Sequence, residues 1–204
     1  MAGPTISTEA HILLKASAKE TFQPFTAFSV EHGNLRILHR VPRKPSPSYV
    51  SLDLFDHVAL TLEPGNAGIW FVKEARLLTR QTGIGYRYFR LQHASAFTSL
   101  IARNSVPEES REVVDRLITT ALAAFGSADR PDIVGFKSFY CFARDEGYPL
   151  KQQWFPTLPR QDRTNVITLL NRPLSEQTLD RDGVARLHTR MEEYLKGHTD
   201  ILVD

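Results

Sequence analysis

Apolar and polar side chains alternate along the first 80 residues of the chain, a spacing typical of β-strands. Residues that favour turns, such as Gly33 with Asn34 and Pro64 with Gly65, separate the alternating runs. The runs predict strands at residues 10–16, 21–31, 33–41, 50–62 (as one strand or two) and 68–78. Short strands at this spacing predict a small closed barrel, and both the five-stranded OB-fold and an SH3-like barrel fit the pattern.

Beyond Gln81 the apolar residues recur every three or four positions, which is typical of amphipathic helices. The first predicted buried face consists of Tyr86, Phe89, His93, Phe97, Leu100 and Ile101. A second helix is predicted to open at a capping Ser105 and to stop at Gly126. Further helices are predicted near residues 129–147, 160–171 and 181–196. The chain is therefore predicted to be α+β, with an N-terminal five-stranded OB-fold-like β-barrel at residues 1–80 and an all-helical domain at 81–204.

The third predicted strand and the loop behind it have a one-sided charge pattern. The segment between His32 and Leu52 contains four cations and no acid. Arg36 and Arg40 share one strand parity with Leu38, opposite to the parity of Leu35, Ile37 and Val41. Three prolines in the following loop prevent the strand from continuing. This pattern predicts outward arginines that run into a stiff basic loop. It fits a polyanion-binding surface, and it equally fits a solvated edge strand with solubilising charges.

Composition limits the classes of protein to consider. The 204 residues are 42% apolar, which is sufficient for a folded core, and the net charge is only +2, so a nucleic-acid site requires local clustering of cations. A single cysteine, Cys141, excludes an intramolecular disulfide and a multi-cysteine zinc site. No apolar run approaches the ~20 residues of a membrane span, and the first residues lack a signal-peptide pattern. We therefore expect a cytoplasmic protein.

Catalytic motifs are missing from the sequence. Gly83 and Gly85 lack the rest of a phosphate-binding fingerprint, and no Gly-x-Ser-x-Gly segment occurs. The seven histidines include no pair at His-x-x-x-His spacing, so no metal site is expected. Cys141 lies in a helix with apolar residues on most sides and is expected to be a small buried side chain rather than a nucleophile. No enzymatic activity and no cofactor are expected.

The residues fit single-stranded nucleic acid better, since that ligand needs a positive groove and aromatic platforms. The predicted nucleic-acid-binding residues are Lys15, Arg36, Arg40, Arg43, Lys44, Tyr49, Lys73 and Arg76. Arg80 adds a further cation near the end of the fifth predicted strand. The aromatic candidates for stacking are Phe22, Phe25, Phe28 and Tyr49, although core filling is the expected role of most of the phenylalanines.

Several short motifs follow one another in an order that resembles a known family. They are EHGNLR at 31–36, VPRKPS at 41–46, LDLF at 52–55, VALTL at 58–62, FVKEARLL at 71–78, FKSFYCFARDEGYP at 136–149, and Leu187 with Tyr194-Leu-Lys. In this order and over nearly the whole length, they resemble the RecO family of bacterial recombination mediators. The resemblance implies an OB-fold followed by a helical domain. It also implies a non-enzymatic role in DNA repair and DNA recombination, through DNA binding, strand annealing and partnership with RecR and single-strand-binding protein.

The chain departs from that family at one point. Many relatives have a four-cysteine zinc module after the segment that corresponds to residues 147–150, whereas residues 151–159 here contain no cysteine. A structural zinc is therefore not expected, and partner surfaces near that module are placed in doubt. An alternative hypothesis is an adaptor with the same fold that has lost DNA binding. It would receive an acidic, apolar peptide tail in a groove between the helices near residues 84–103 and 131–147.

Overall fold

The protein combines a five-stranded sheet with a series of helices that follow it in the chain. The structure is a computed structural model and describes residues 4–18, 21–42, 44 and 49–203. The chain divides into two compact units: a barrel unit of Met1–Gln81 with Ser105–Asp115, and a helical unit of Thr82–Asn104 with Arg116–Asp204. The predicted α+β class, with a five-stranded sheet before the helices, is confirmed. The division at residue 80 into separate domains stays a prediction.

The strands of the barrel unit close on themselves. They are β1 (Ile6–Lys15), β2 (Phe22–Ser29), β3 (Gly33–Arg40), β4 (His57–Pro64) and β5 (Ile69–Thr79). Their order around the closed barrel is β1-β2-β3-β5-β4, with β3 parallel to β5 and every other neighbouring pair antiparallel. Closure gives each strand two hydrogen-bonded neighbours, so none of the five is left as an edge.

Strand alternation fills the barrel interior as the sequence predicts. Along β3, Leu35 and Ile37 are buried at 6% and 1% exposure, while Arg36 and Arg40 are exposed. The interior cluster is Ala10, Ile12, Phe25, Ala27, Leu35, Ile37, Leu52, Val58, Leu60 and Leu62. Fully burying each large aliphatic or aromatic side chain of this kind contributes about 1.5–3 kcal/mol, so the cluster holds the barrel together.

Residues 50–56 form no strand, so the predicted run 50–62 shrinks to β4. Leu52 enters the barrel core, and Phe55 adopts a positive φ of 68°. The fully buried carboxylate of Asp56 accepts hydrogen bonds from Arg80 Nε at 2.9 Å, from Arg80 Nη2 at 2.7 Å and from the Asp53 N–H at 2.8 Å. Arg80 therefore connects this segment to the end of β5. The prediction that Arg80 is a surface cation for ligand binding is corrected, because its guanidinium group pairs with Asp56.

The helices are α1 (Thr82–Gly85), α2 (Tyr88–Arg103), α3 (Arg111–Ser127), α4 (Pro131–Asp145), α5 (Arg160–Asn171) and α6 (Arg181–His198). The predicted start at Ser105 is wrong, because a 3-10 turn at Glu108–Ser110 precedes α3. In the helical unit α4 is buried on most of its circumference and has Phe136, Phe139 and Phe142 at 2% exposure or less. Within the described residues, no helix is both long and apolar enough to cross a membrane.

The prediction of the first buried helical face is wrong for the residues at its N-terminal end. Phe97, Leu100 and Ile101 are buried as expected, yet Tyr86 is 81% exposed and Phe89 is 51% exposed. Periodicity places a residue on a side of the helix, but it does not tell how far along the helix the neighbouring elements extend. The helical unit therefore presents aromatic rings to solvent at the start of α2.

Candidate nucleic-acid interface

The outward side of β3 displays Arg36, Leu38 and Arg40 in a line. Strand register sets their neighbours, because side chains at directly opposed positions lie on the same face of the sheet. Arg36 lies between Thr26 of β2 and Ile69 of β5, and Leu38 lies between Pro24 of β2 and Phe71 of β5. Arg40 is opposite Phe22. We call these eight residues the front face of the barrel.

Two phenylalanines meet on the front face. The rings of Phe22 and Phe71 lie edge to face, with centroids 5.5 Å apart and planes at 63°. Phe71 is 37% exposed and Phe22 is half-buried. A partly exposed aromatic pair between arginines provides apolar surface for a nucleobase and leaves cations beside it for phosphates.

Phe71 was not predicted from the sequence as a stacking candidate, and the structure excludes two of the predicted candidates from stacking with a ligand. Phe25 and Phe28 are 4% and 0% exposed, so they belong to the interior. The parity of β5 contains a usable signal, since Phe71 alternates with Trp70 and Val72, which pack against the core. A bulge at Lys73 then shifts the parity, because Leu62 pairs with Val72 while Thr61 pairs with Glu74.

The two arginines of the front face form no ion pair with the described residues. Among the described residues, no carboxylate lies within 4.0 Å of the guanidinium group of Arg36 or Arg40. By contrast, Lys15 Nζ lies 2.9 Å from Asp53 Oδ1, and Lys73 Nζ lies 2.9 Å from Glu63 Oε1. The front-face arginines therefore keep their charge free for an anion, whereas these lysines share theirs with a neighbouring acid.

A groove opens beside the front face where β3 and β5 separate. Their parallel pairing spans only Arg36 to Leu38 opposite Ile69 to Phe71. Beyond it lies a groove of about 950 Å³, and the polar side chains that line it include Arg40, Lys44, Tyr49, Lys73 and Glu74. The groove thus has three cations and one acid among its described charged residues, and it continues from the front face through Arg40.

A neutral ring stack forms part of the groove wall. The rings of His39 and Tyr49 lie parallel at 13°, with centroids 5.0 Å apart. Burial lowers the pKa of His39 and raises the pKa of Tyr49, so both rings are uncharged near neutral pH. Tyr49 is therefore tied to the barrel rather than projecting freely from the loop.

The predicted cations fall into separate groups. Arg36, Arg40, Lys44 and Lys73 border the front face or its groove, and Lys15 shares a smaller groove of about 400 Å³ with Arg36. Arg76 lies apart. It points outward opposite Ala59 of β4 and lines a different groove of about 630 Å³ together with Glu9, Glu31 and Glu74. Arg43 lies outside the described residues.

Metal-ligating side chains do not cluster in the part of the chain that the structure describes. No three or more His, Cys, Asp or Glu side chains there are placed to hold a metal ion. Cys141 is half-buried, and burial raises the pKa of its thiol, which keeps it protonated at neutral pH.

No protein-family model matches this chain, and no curated protein sequence matches it.

Proposed function

We propose that this protein is a non-enzymatic DNA-binding protein of the RecO type, that its barrel is an OB-fold, and that the front face binds single-stranded DNA. The observation that carries this proposal is the free pair Arg36 and Arg40 beside the Phe22–Phe71 ring pair. Guanidinium groups bind phosphate oxygens through paired hydrogen bonds, and aromatic rings stack with unpaired bases. Single strands offer both chemistries, since their bases are exposed.

The strand order supports the OB-fold assignment. β1 pairs with both β2 and β4, and the barrel closes through the parallel contact of β3 with β5. A five-stranded Greek-key barrel of this kind binds oligonucleotides on the face of its second and third strands. The front face lies on β2 and β3, together with the adjoining end of β5, so the free arginines lie where such a fold binds its ligand.

The proposed cellular role follows from the ordered motifs that resemble the RecO family. In that role the protein binds single strands, promotes their annealing and mediates recombinational repair in the cytoplasm. RecR and the tail of single-strand-binding protein are its proposed partners. The absence of the four zinc-binding cysteines makes it a divergent member.

Removing both front-face guanidinium groups tests the proposal. The double variant Arg36→Ala/Arg40→Ala is expected to bind a labelled single-stranded oligonucleotide at least about tenfold more weakly, because two charge-assisted hydrogen-bonding groups are removed. The slope of log affinity against log salt concentration should become shallower by about 0.7 for each phosphate that is no longer neutralised. Fluorescence anisotropy at several salt concentrations measures both quantities.

The matched control is Arg76→Ala/Arg172→Ala, which removes the same charge from two exposed positions that are not part of the front face. This control should retain the affinity and the salt slope of the wild type. If the front-face variant also retained both, the front face would not be the DNA site.

A further inference from the structure

The helical unit exposes a run of aromatic rings that its own fold does not use. Tyr86 is 81% exposed, Tyr88 73% and Phe89 51%, whereas the preceding Ile84 is fully buried. We call Tyr86, Tyr88 and Phe89 the aromatic patch. Burying these three large rings would stabilise the fold, and their exposure forgoes that stabilisation. Packing within the helical unit therefore does not account for three aromatic residues in this short segment.

The geometry of the patch leaves ring faces open. Tyr88 and Phe89 meet edge to face at 71° with centroids 5.9 Å apart, so each ring keeps at least one face that the other ring does not touch. Arg181 Cζ lies 5.1 Å from the centroid of Phe89 and places a guanidinium group at that ring. Arg87 is also at the surface and pairs with Asp129 at 3.1 Å. The patch thus combines flat rings with guanidinium groups.

The residue types favour bases over an apolar protein helix as the ligand. A groove for an apolar helix is lined by aliphatic side chains, but the aliphatic Ile84 beside the patch is fully buried and the exposed positions hold aromatic rings. Two of the three rings have phenolic hydroxyl groups, which can donate to phosphate or base oxygens. Stacked bases with nearby phosphates match rings with nearby arginines.

We propose that the aromatic patch is a second site for single-stranded nucleic acid, at which bases stack on Tyr86, Tyr88 or Phe89 while Arg181 lies beside the phosphates. The inference rests on the proposed function, because it assigns the same class of ligand to a different unit. It adds further base contacts to the arginine and ring contacts proposed for the barrel. A strand that engages both contacts binds more tightly than a strand that engages either contact alone.

Comparing two oligonucleotides isolates the base contacts. The full chain is titrated with labelled oligothymidylate and with an abasic deoxyribose-phosphate oligomer of equal length. Wild type should prefer oligothymidylate, and the variant Tyr86→Ala/Tyr88→Ala/Phe89→Ala should lose about fivefold or more of that preference for each stacked base removed. Its affinity for the abasic oligomer and its salt slope should not change, since the cations remain.

Controls separate stacking from general apolarity and from misfolding. Ile167→Ala removes a side chain with the same 51% exposure as Phe89 from the helical unit and should leave the preference unchanged. Tyr88→Trp/Phe89→Trp should retain or increase the preference. Photocrosslinking of bromodeoxyuridine-substituted oligonucleotide should label the peptide that contains residues 86–89.

Each result bears on a different proposal. If the triple alanine variant keeps the full preference for oligothymidylate, the aromatic patch is not a base site, while the barrel proposal still depends on Arg36 and Arg40. If that variant keeps the preference but sediments at a lower mass than wild type, the patch binds a second copy of this chain and the inference is wrong. If wild type binds neither oligomer, both proposals are wrong.

Discussion

At the scale of single residues, the groups packed around His188 set its protonation state. His188 of α6 lies among aromatic rings, with its ring centroid 4.5 Å from that of Phe139 and 6.2 Å from that of Phe136. Burial, with a smaller contribution from His93, lowers the pKa of His188 to about 4. The folded protein therefore holds this imidazole neutral at pH values where an unfolded chain protonates it.

This shift predicts acid sensitivity with a defined sign. The pKa of His188 is about 4 in the folded protein and 6.5 in an unfolded chain, so the unfolded state binds the proton first as the pH falls. Stability from this group is complete above about pH 6.5 and declines toward pH 4, by about 3 kcal/mol in total. Urea unfolding of wild type and His188→Gln at a series of pH values measures the difference in slope.

The control for the acid effect is Ile167→Ala, which changes an exposed side chain of the helical unit without removing a titratable group. That variant should follow the pH profile of the wild type between pH 7 and 4. A His188→Gln profile as steep as that of the wild type would show that His188 is not responsible for the acid sensitivity.

At the scale of elements, close backbone contact fixes the short helix α1 against the end of α3. A side chain at Gly83 would collide with the carbonyl oxygen of Gly126 and would lie 3.2 Å from the Gly126 Cα. Arg90 reinforces the same junction, since its Nη1 and Nη2 donate to the carbonyl oxygens of Gly126 and Ser127 at 2.7 Å each. The last carbonyls of α3 are thereby satisfied without a polar cap from the chain that follows.

A pair of glycines in α1 tests this contact. Gly83→Ala is expected to lower the free energy of unfolding by about 1–3 kcal/mol, because the methyl group forces the two backbones apart. Gly85→Ala is the matched control, because an added methyl group there meets nothing within 4 Å, so its free energy of unfolding should stay within about 1 kcal/mol of the wild type. Equal stability of the two variants in urea unfolding would contradict the close approach.

Sequence patterns predict the burial of some strands and helices correctly and of others wrongly, and the cause can be identified in each case. Strict alternation on β3 correctly separates interior Leu35 and Ile37 from outward Arg36 and Arg40. On β5 the bulge at Lys73 breaks that alternation, and nothing in the local sequence reveals a bulge whose cause is the pairing with β4. Periodicity likewise predicts a buried face for Tyr86 and Phe89, which is wrong because it contains no information about where neighbouring helices end.

At the scale of the whole molecule, the order of strands and helices is readable from the sequence, but the membership of the compact units is not. Residues 105–115 are distant in sequence from the strands, yet they belong to the barrel unit. Arg111 Nη1 donates to the carbonyl oxygen of Glu31 at 2.9 Å, and Asp115 Oδ1 lies 3.4 Å from His11 Nε2. These are long-range contacts of single side chains, which propensity and spacing do not encode.

The contact of Arg111 with the β2–β3 turn predicts a local effect on dynamics. Its guanidinium group binds the Glu31 carbonyl and lies close to Gly33, where Nε would be 3.3 Å from an added methyl group. Arg111→Ala should therefore speed amide hydrogen exchange in residues 29–35, while amides of α4 and α6 keep their wild-type rates, because opening of one unit need not open the other. Exchange mass spectrometry of the full chain resolves the two sets of peptides.

The control is Arg172→Ala, at an exposed position of the helical unit, which should leave the exchange rates of residues 29–35 unchanged. Uniformly faster exchange in both units of Arg111→Ala would show that residues 105–115 stabilise the whole chain rather than this turn alone.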